Sequence, residues 1–146
     1  MLKCDVKKFF ASVNHNVLLK ILKQYISDED VLWLLNEVIG SFSNSDDRCG
    51  LPLGNLTSQL FANIYLNTLD KFIEHKLKAK YYIRYADDFI LLSHDKQWLE
   101  EQVSKIRNFL QNELLLTLHP NKIFIKTVAS GLDFLGWILF TNHRVL

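Results

Sequence analysis

Residues 80–85 and 89–93 are two short apolar runs, rich in β-branched and aromatic side chains, and they flank Ala86-Asp87-Asp88. Such runs around a tight polar break form a β-hairpin, here with acids at its tip. This one feature organises the rest of the chain. Leu2 to Val6 is a short apolar stretch that reads as the tail of another strand. From Asn14 or His15 onward, Val17, Leu18, Ile21, Leu22 and Tyr25 recur at helical spacing. Ser27 is the expected cap of a second helix, with Asp28, Glu29 and Asp30 suited to its N-terminal dipole and Val31, Leu34, Leu35, Val38 and Ile39 as its inward face. The polar, Gly- and Pro-containing segment 41–54 reads as a loop. A long helix without Gly or Pro follows from Asn55 to about Leu77, and Asp95 caps another through about Leu114 with Leu99, Val103, Ile106, Phe109 and Leu110 inward. Ile123–Val128 and Leu132–Phe140 read as two further strands around Ala129-Ser130-Gly131. The order predicts an α+β domain, an antiparallel sheet backed by helices.

Composition narrows the class. The 146 residues are 49% hydrophobic and 12% aromatic with a net charge of +1, which excludes intrinsic disorder and suits one globular domain. Two cysteines, Cys4 and Cys49, make neither a disulfide framework nor a zinc site, and a reducing cytoplasm is the expected compartment. The longest uncharged apolar run, about Phe134 to Phe140, is far short of the ~20 residues of a membrane span. Lys3, Asp5, Lys7 and Lys8 rule out a signal-peptide core at the start. The five histidines show no ligand spacing for zinc and are expected at the surface or in caps. Seventeen basic residues nearly cancel sixteen acidic ones, an unusual balance for a nucleic-acid binder.

Three acids stand out by position. Asp5 ends an apolar strand before Lys7-Lys8-Phe9-Phe10, and Asp87 and Asp88 occupy the hairpin turn. If the first strand lies beside the hairpin, the three meet at one sheet edge. Their mutual repulsion raises proton affinity unless a cation neutralises it. Oxygen ligands favour Mg²⁺, and two such ions ~4 Å apart form the clamp used in phosphoryl transfer. The competing reading is that Asp87-Asp88 is a polar turn, where Asp is common, and that Asp5 is a solvated strand end.

Five blocks in this order resemble reverse transcriptases. Tyr85-Ala86-Asp87-Asp88 resembles their YxDD box, and Asp5-Val6-Lys7-Lys8-Phe9-Phe10 their first aspartate motif. Gly50-Leu51-Pro52-Leu53-Gly54-Asn55-Leu56-Thr57-Ser58-Gln59 resembles the glycine-bearing segment before the long palm helix. Leu118-His119-Pro120-Asn121-Lys122 resembles the next block, and Phe134-Leu135-Gly136-Trp137 the primer-grip hairpin. The blocks span nearly the whole chain. An aliphatic Leu53 before the Gly and Gln59 after the Ser are similar to diversity-generating retroelement enzymes, which copy a template RNA. Group II intron enzymes usually carry Gln-Gly-x-x-x-Ser-Pro there.

The resemblance implies a polymerase palm with a ferredoxin-like antiparallel core over residues 1–146. It implies RNA-directed DNA polymerisation by two Mg²⁺ ions, with Mn²⁺ as a substitute. The partners implied are template RNA, a DNA or RNA primer and deoxynucleoside triphosphates, with an accessory protein as a further partner and no membrane. Asp5, Asp87 and Asp88 would hold the metals, with the Val6 carbonyl as an extra ligand. Phe10 would be a sugar gate excluding the 2′-OH, a stronger device than a missing hydrogen-bond partner, which discriminates by only ~10². On an extended segment only one of Phe9 and Phe10 points inward, so the other is free to be the gate; the alternative is that both are core. Gly54 would let the backbone approach the nascent base pair and Gln59 would touch it, while Ser58 and Arg84 would contact nucleic acid. Lys122 would protonate pyrophosphate. Gly136 and Trp137 would hold the primer terminus, or Trp137 would pack on the sheet. The fingers and thumb of the family are expected to be largely missing, which puts independent activity in question. The rival readings are a non-catalytic palm remnant, a group II intron-like or other bacterial reverse transcriptase, and a palm-fold RNA polymerase, against which Phe10 argues.

Overall fold

A computed structural model describes residues 1–42 and 48–146. Most of the expected loop lies within them, and residues 43–47 lie outside. Strand β1 (Leu2–Asp5) leads through a short helix α1 (Phe9–Ser12) to helices α2 (His15–Leu22) and α3 (Glu29–Gly40). Helix α4 (Leu56–Lys71) continues as a widened π turn over Phe72–Lys76. The hairpin β2 (Tyr81–Tyr85) and β3 (Asp88–Leu92) precedes helix α5 (Lys96–Glu113). Four short strands close the chain: β4 (Phe124–Ile125), β5 (Leu132–Phe134), β6 (Trp137–Leu139) and β7 (Arg144–Val145).

The first sheet has the order β2-β3-β1-β4, antiparallel throughout. This is the order of a split β-α-β fold, in which each helical crossover skips a neighbouring strand. The expected α+β palm architecture is therefore observed. One sheet face is the core: Leu2, Cys4, Phe89 and Leu91 are fully buried with Phe61, Tyr65, Leu66 and Leu69 of α4 and Leu99, Ile106 and Leu110 of α5. Burying each such side chain contributes about 1.5–3 kcal/mol. Burial also pushes the Cys4 thiol up to about 12, and both cysteines are free. No helix among the described residues is long and apolar enough to cross a membrane.

Several local expectations are corrected. Asp28, not Ser27, caps α3, accepting from the amides of Asp30 and Val31. On α3, Leu35, Val38 and Ile39 do face the core, with Ile39 fully buried, while Val31 and Leu34 are exposed, because α3 lies at the margin of the core. His15 is buried, its Nε2 2.7 Å from the Gly50 carbonyl oxygen, rather than at the surface. The expected strand 123–128 shrinks to β4 and ends in a 3₁₀ turn at Val128–Ser130. The expected strand 132–140 folds back on itself at Leu135-Gly136, whose φ angles of 57° and 77° suit a two-residue hairpin turn. β7, which the sequence did not suggest, extends this hairpin into a second sheet of order β5-β6-β7.

Candidate active site

The site is built by strand register. β1 pairs with β3 so that Asp5 stands opposite Asp88, and β2 pairs with β3 so that Tyr85 stands opposite the same Asp88. Asp88 thus begins a strand, and the turn proper is Ala86-Asp87. Opposed residues project to one face, and alternation places Lys3, Asp5, Tyr85, Asp88 and Ile90 on the face away from the helices. Ala86 adopts φ 50°, a region costly for a side chain with a Cβ. The Val6 amide donates to the Asp87 carbonyl oxygen (3.3 Å), which fastens the tip to the end of β1. A cavity of about 530 Å³ is lined by Lys3, Asp5, Tyr85, Asp87, Asp88, Lys122, Asp133 and Gly136, among others.

Lys122 arrives by backbone pairing. The Lys7 amide donates to Thr117 and the His119 amide to Asp5, both at 2.8 Å, so the following turn ends beside the acids. Lys122 Nζ donates to Asp5 Oδ2 at 2.8 Å, and that hydrogen bond raises its affinity for a proton. Burial, followed by the charges of Asp5 and Asp88, raises the Asp87 carboxyl above its ordinary value. Burial does the same to Asp88, opposed by Lys3, whose Nζ is 3.8 Å from Asp88 Oδ2. The carboxylates are therefore held close at an energetic cost that two ammonium groups only partly offset.

The other candidates are placed apart. Phe9 and Phe10 form a helical turn, not an extended segment, so strand alternation does not separate them: Phe9 is buried, and Phe10 is half-buried against the core. Phe10 lines a different cavity, with Gly50, Leu51 and Leu53. Gly54 (φ 91°) and Gln59 are exposed beside it in the chain. Ser58 is fully buried, and its Oγ has no hydrogen-bond partner among the described residues, so a template contact through Ser58 is corrected; the helix turns Gln59 outward instead. Arg84 is corrected too. Its guanidinium grips Asp70 of α4 at 2.6 and 2.7 Å, with the Tyr82 hydroxyl on the same carboxylate, and its Nη1 donates to the Ala86 carbonyl oxygen at 2.9 Å. Arg84 therefore braces the turn that carries Asp87, and its charge is spent inside the fold. Gly136 lines the acid cavity, whereas Trp137 stacks under Arg144 of β7, 4.8 Å from the ring centre. Lys3 and Asp133 belong to the site as well. Neither stands in a motif; only the two-residue spacing of Lys3 before Asp5 on a strand marked it.

The donor chemistry suits a divalent metal: carboxylate oxygens of Asp5, Asp87 and Asp88 line one polar cavity. Among the described residues, no three His, Cys, Asp or Glu side chains form a ready-made metal cage. The donors fit, therefore, but metal entry requires the carboxylates to close and Lys122 to yield part of Asp5.

A split β-α-β sheet with acids on adjacent strand ends defines the polymerase palm class of fold. Comparison with known proteins gives the family. Residues 1–139 match the family described as reverse transcriptase (RNA-dependent DNA polymerase), and the chain belongs to it. It is 27% identical to Protein YkfC of Escherichia coli over 97% of this chain and 45% of that protein. It is 26% identical to the group II intron-encoded protein LtrA of Lactococcus lactis over 91% of this chain and 33% of that protein. In fold it is similar to apo telomerase from Candida tropicalis, with a TM-score of 0.67 and 17% identity, over 99% of this chain and 34% of that one. The chain spans less than half the length of these relatives.

Proposed function

We propose that this chain carries the nucleotidyl-transfer centre of an RNA-directed DNA polymerase. The observation that supports it most is the register of Asp5 opposite Asp88, with Asp87 at the adjoining tip and all three lining one cavity. Asp5 and Asp87 would hold Mg²⁺ with the Val6 carbonyl, Asp88 orienting them, and Mn²⁺ would substitute. The metals would supply charge neutralisation and a more acidic primer hydroxyl. Lys122 then faces the position where a departing phosphate would gather charge. Phe10 would limit the sugar, and Gly54 and Gln59 would meet the base pair from the start of α4. The partners are template RNA, primer and deoxynucleoside triphosphates.

Leu53 and Gln59 favour the diversity-generating kind. A group II intron-like enzyme is the second reading, supported by the intron-encoded relatives. A template repeat and a variable repeat differing at adenines beside the gene would decide for the first.

The test is primer extension on an RNA template with Mg²⁺, by the chain alone and joined to the fingers and thumb of a relative. Extension should appear in the joined form, and Asp87→Asn should lower it at least ~100-fold, since an amide neutralises no cation. Undiminished extension by the variant would remove Asp87 from the site. Primer binding without extension by any form would favour a non-catalytic palm.

A further inference from the structure

Among the described residues, the second sheet, β5-β6-β7, shares no strand pairing with the first. Its turn at Leu135-Gly136 nevertheless lines the same cavity as the acids. Something must hold it there, and one side chain spans the gap. Lys3 lies two residues before Asp5 on β1 and so projects from the same face. Its Nζ donates to the Asp133 carbonyl oxygen of β5 at 2.7 Å and lies 3.8 Å from Asp88 Oδ2 of β3. Only 18% of the side chain is exposed. An ordered, largely covered lysine loses much rotamer freedom, so fixed partners at both sheets must compensate. Phe134, next to Asp133, is buried, which gives the hairpin an apolar foot beside this polar pin.

We propose that Lys3 is a positioning residue that seats the β5–β6 hairpin over the carboxylate site by bridging the Asp133 carbonyl and Asp88. The functional part rests on the polymerase reading, in which the Gly136 turn faces the primer end. The bridge itself is testable without it. The charge of Lys3 does two things at once: it offsets the negative potential at Asp88, and it spends a directional hydrogen bond on β5. A neutral side chain of similar length keeps the packing and loses both.

The experiment is amide hydrogen exchange, read residue by residue, on the 146-residue chain and its Lys3→Met and Lys3→Arg variants in chelator. Lys3→Met should speed exchange in residues 132–139 about five- to tenfold, the loss expected for one such hydrogen bond. The amides of Cys4, Phe89 and Leu91 should keep their wild-type rates, and Lys3→Arg should restore most of the hairpin protection. If Lys3→Met does not fold, Lys3→Leu, shorter, uncharged and without a donor, should show the same localised effect. Unchanged hairpin exchange would overturn the proposal. So would an equal acceleration in hairpin and core, which marks Lys3 as a general stabiliser. The measurement uses no primer, template or metal, so a failed extension assay and a failed bridge give different results.

Discussion

The two sheets place residues in the same cavity by opposite means. The β2-β3-β1-β4 sheet lays one whole face on α4 and α5, and its acids inherit their positions from a packed core. The β5-β6-β7 sheet is thin, half-exposed along most of its length, and held by Phe134 and Lys3. On the proposed reading, groups that must be held within a fraction of an ångström would be carried by the first, and the turn that would meet the primer by the second. A rigid scaffold suits chemistry, whereas a loosely held hairpin suits accommodation.

The sharpest way to break this comparison is in the cores. Phe89, fully buried on β3 and packed edge-to-face with Tyr82, should cost about 3–5 kcal/mol on Phe89→Ala, read by urea unfolding. A loss of less than half that would mean the first sheet is no more rigid than the second.

Next in size is the brace behind the hairpin. Asp70→Ala leaves the Arg84 guanidinium and the Tyr82 hydroxyl without their shared acceptor. Partial burial makes that loss about 2–3 kcal/mol in the same assay. Extension should fall as well, because Arg84 also holds the Ala86 carbonyl beside Asp87. Full activity at reduced stability would show that the turn keeps its shape unaided.

The acids themselves should show their cost as a pH dependence. Burial and the neighbouring carboxylates raise Asp87 in the folded state above 3.8. The folded chain then binds more protons than the unfolded chain between that value and the raised one. Stability contributed by Asp87 is therefore highest at low pH, falls as pH rises through this window, and is level above it. In chelator, Asp87→Asn should flatten the decline and be at least as stable as the wild type at about pH 7, although with Mg²⁺ the same variant should lower extension at least ~100-fold. A steeper decline in the variant would contradict the repulsion described above. The smallest effect is expected in the thin sheet: Trp137→Ala, losing a half-exposed stack with Arg144, should cost about 1 kcal/mol or less.

Much of the site was legible because its residues are contiguous. Asp87-Asp88 between two apolar runs, Asp5 at a strand end and the Asp95-capped helix all follow from local pattern. Arg84 and Ser58 depart from the expectation for a shared reason: which way a side chain faces depends on what packs behind its element. Arg84 alternates with the exposed Tyr85 and so meets Asp70, and Ser58 falls on the inner face of α4. Phe9 and Phe10 do not alternate, because a helical turn, not a strand, follows Asp5.

By itself, the sequence determined that two strands meet at an acidic tip, that long helices cover the sheet, and which family's blocks are present, since each rests on periodicity or residues adjacent in the chain. Only the tertiary structure decided that Asp5 faces Asp88, that Lys122 reaches Asp5 across 117 positions of chain, and that Lys3 reaches Asp133 across 130. Register and long-range pairing depend on which strands become neighbours, and a local pattern carries no record of that choice.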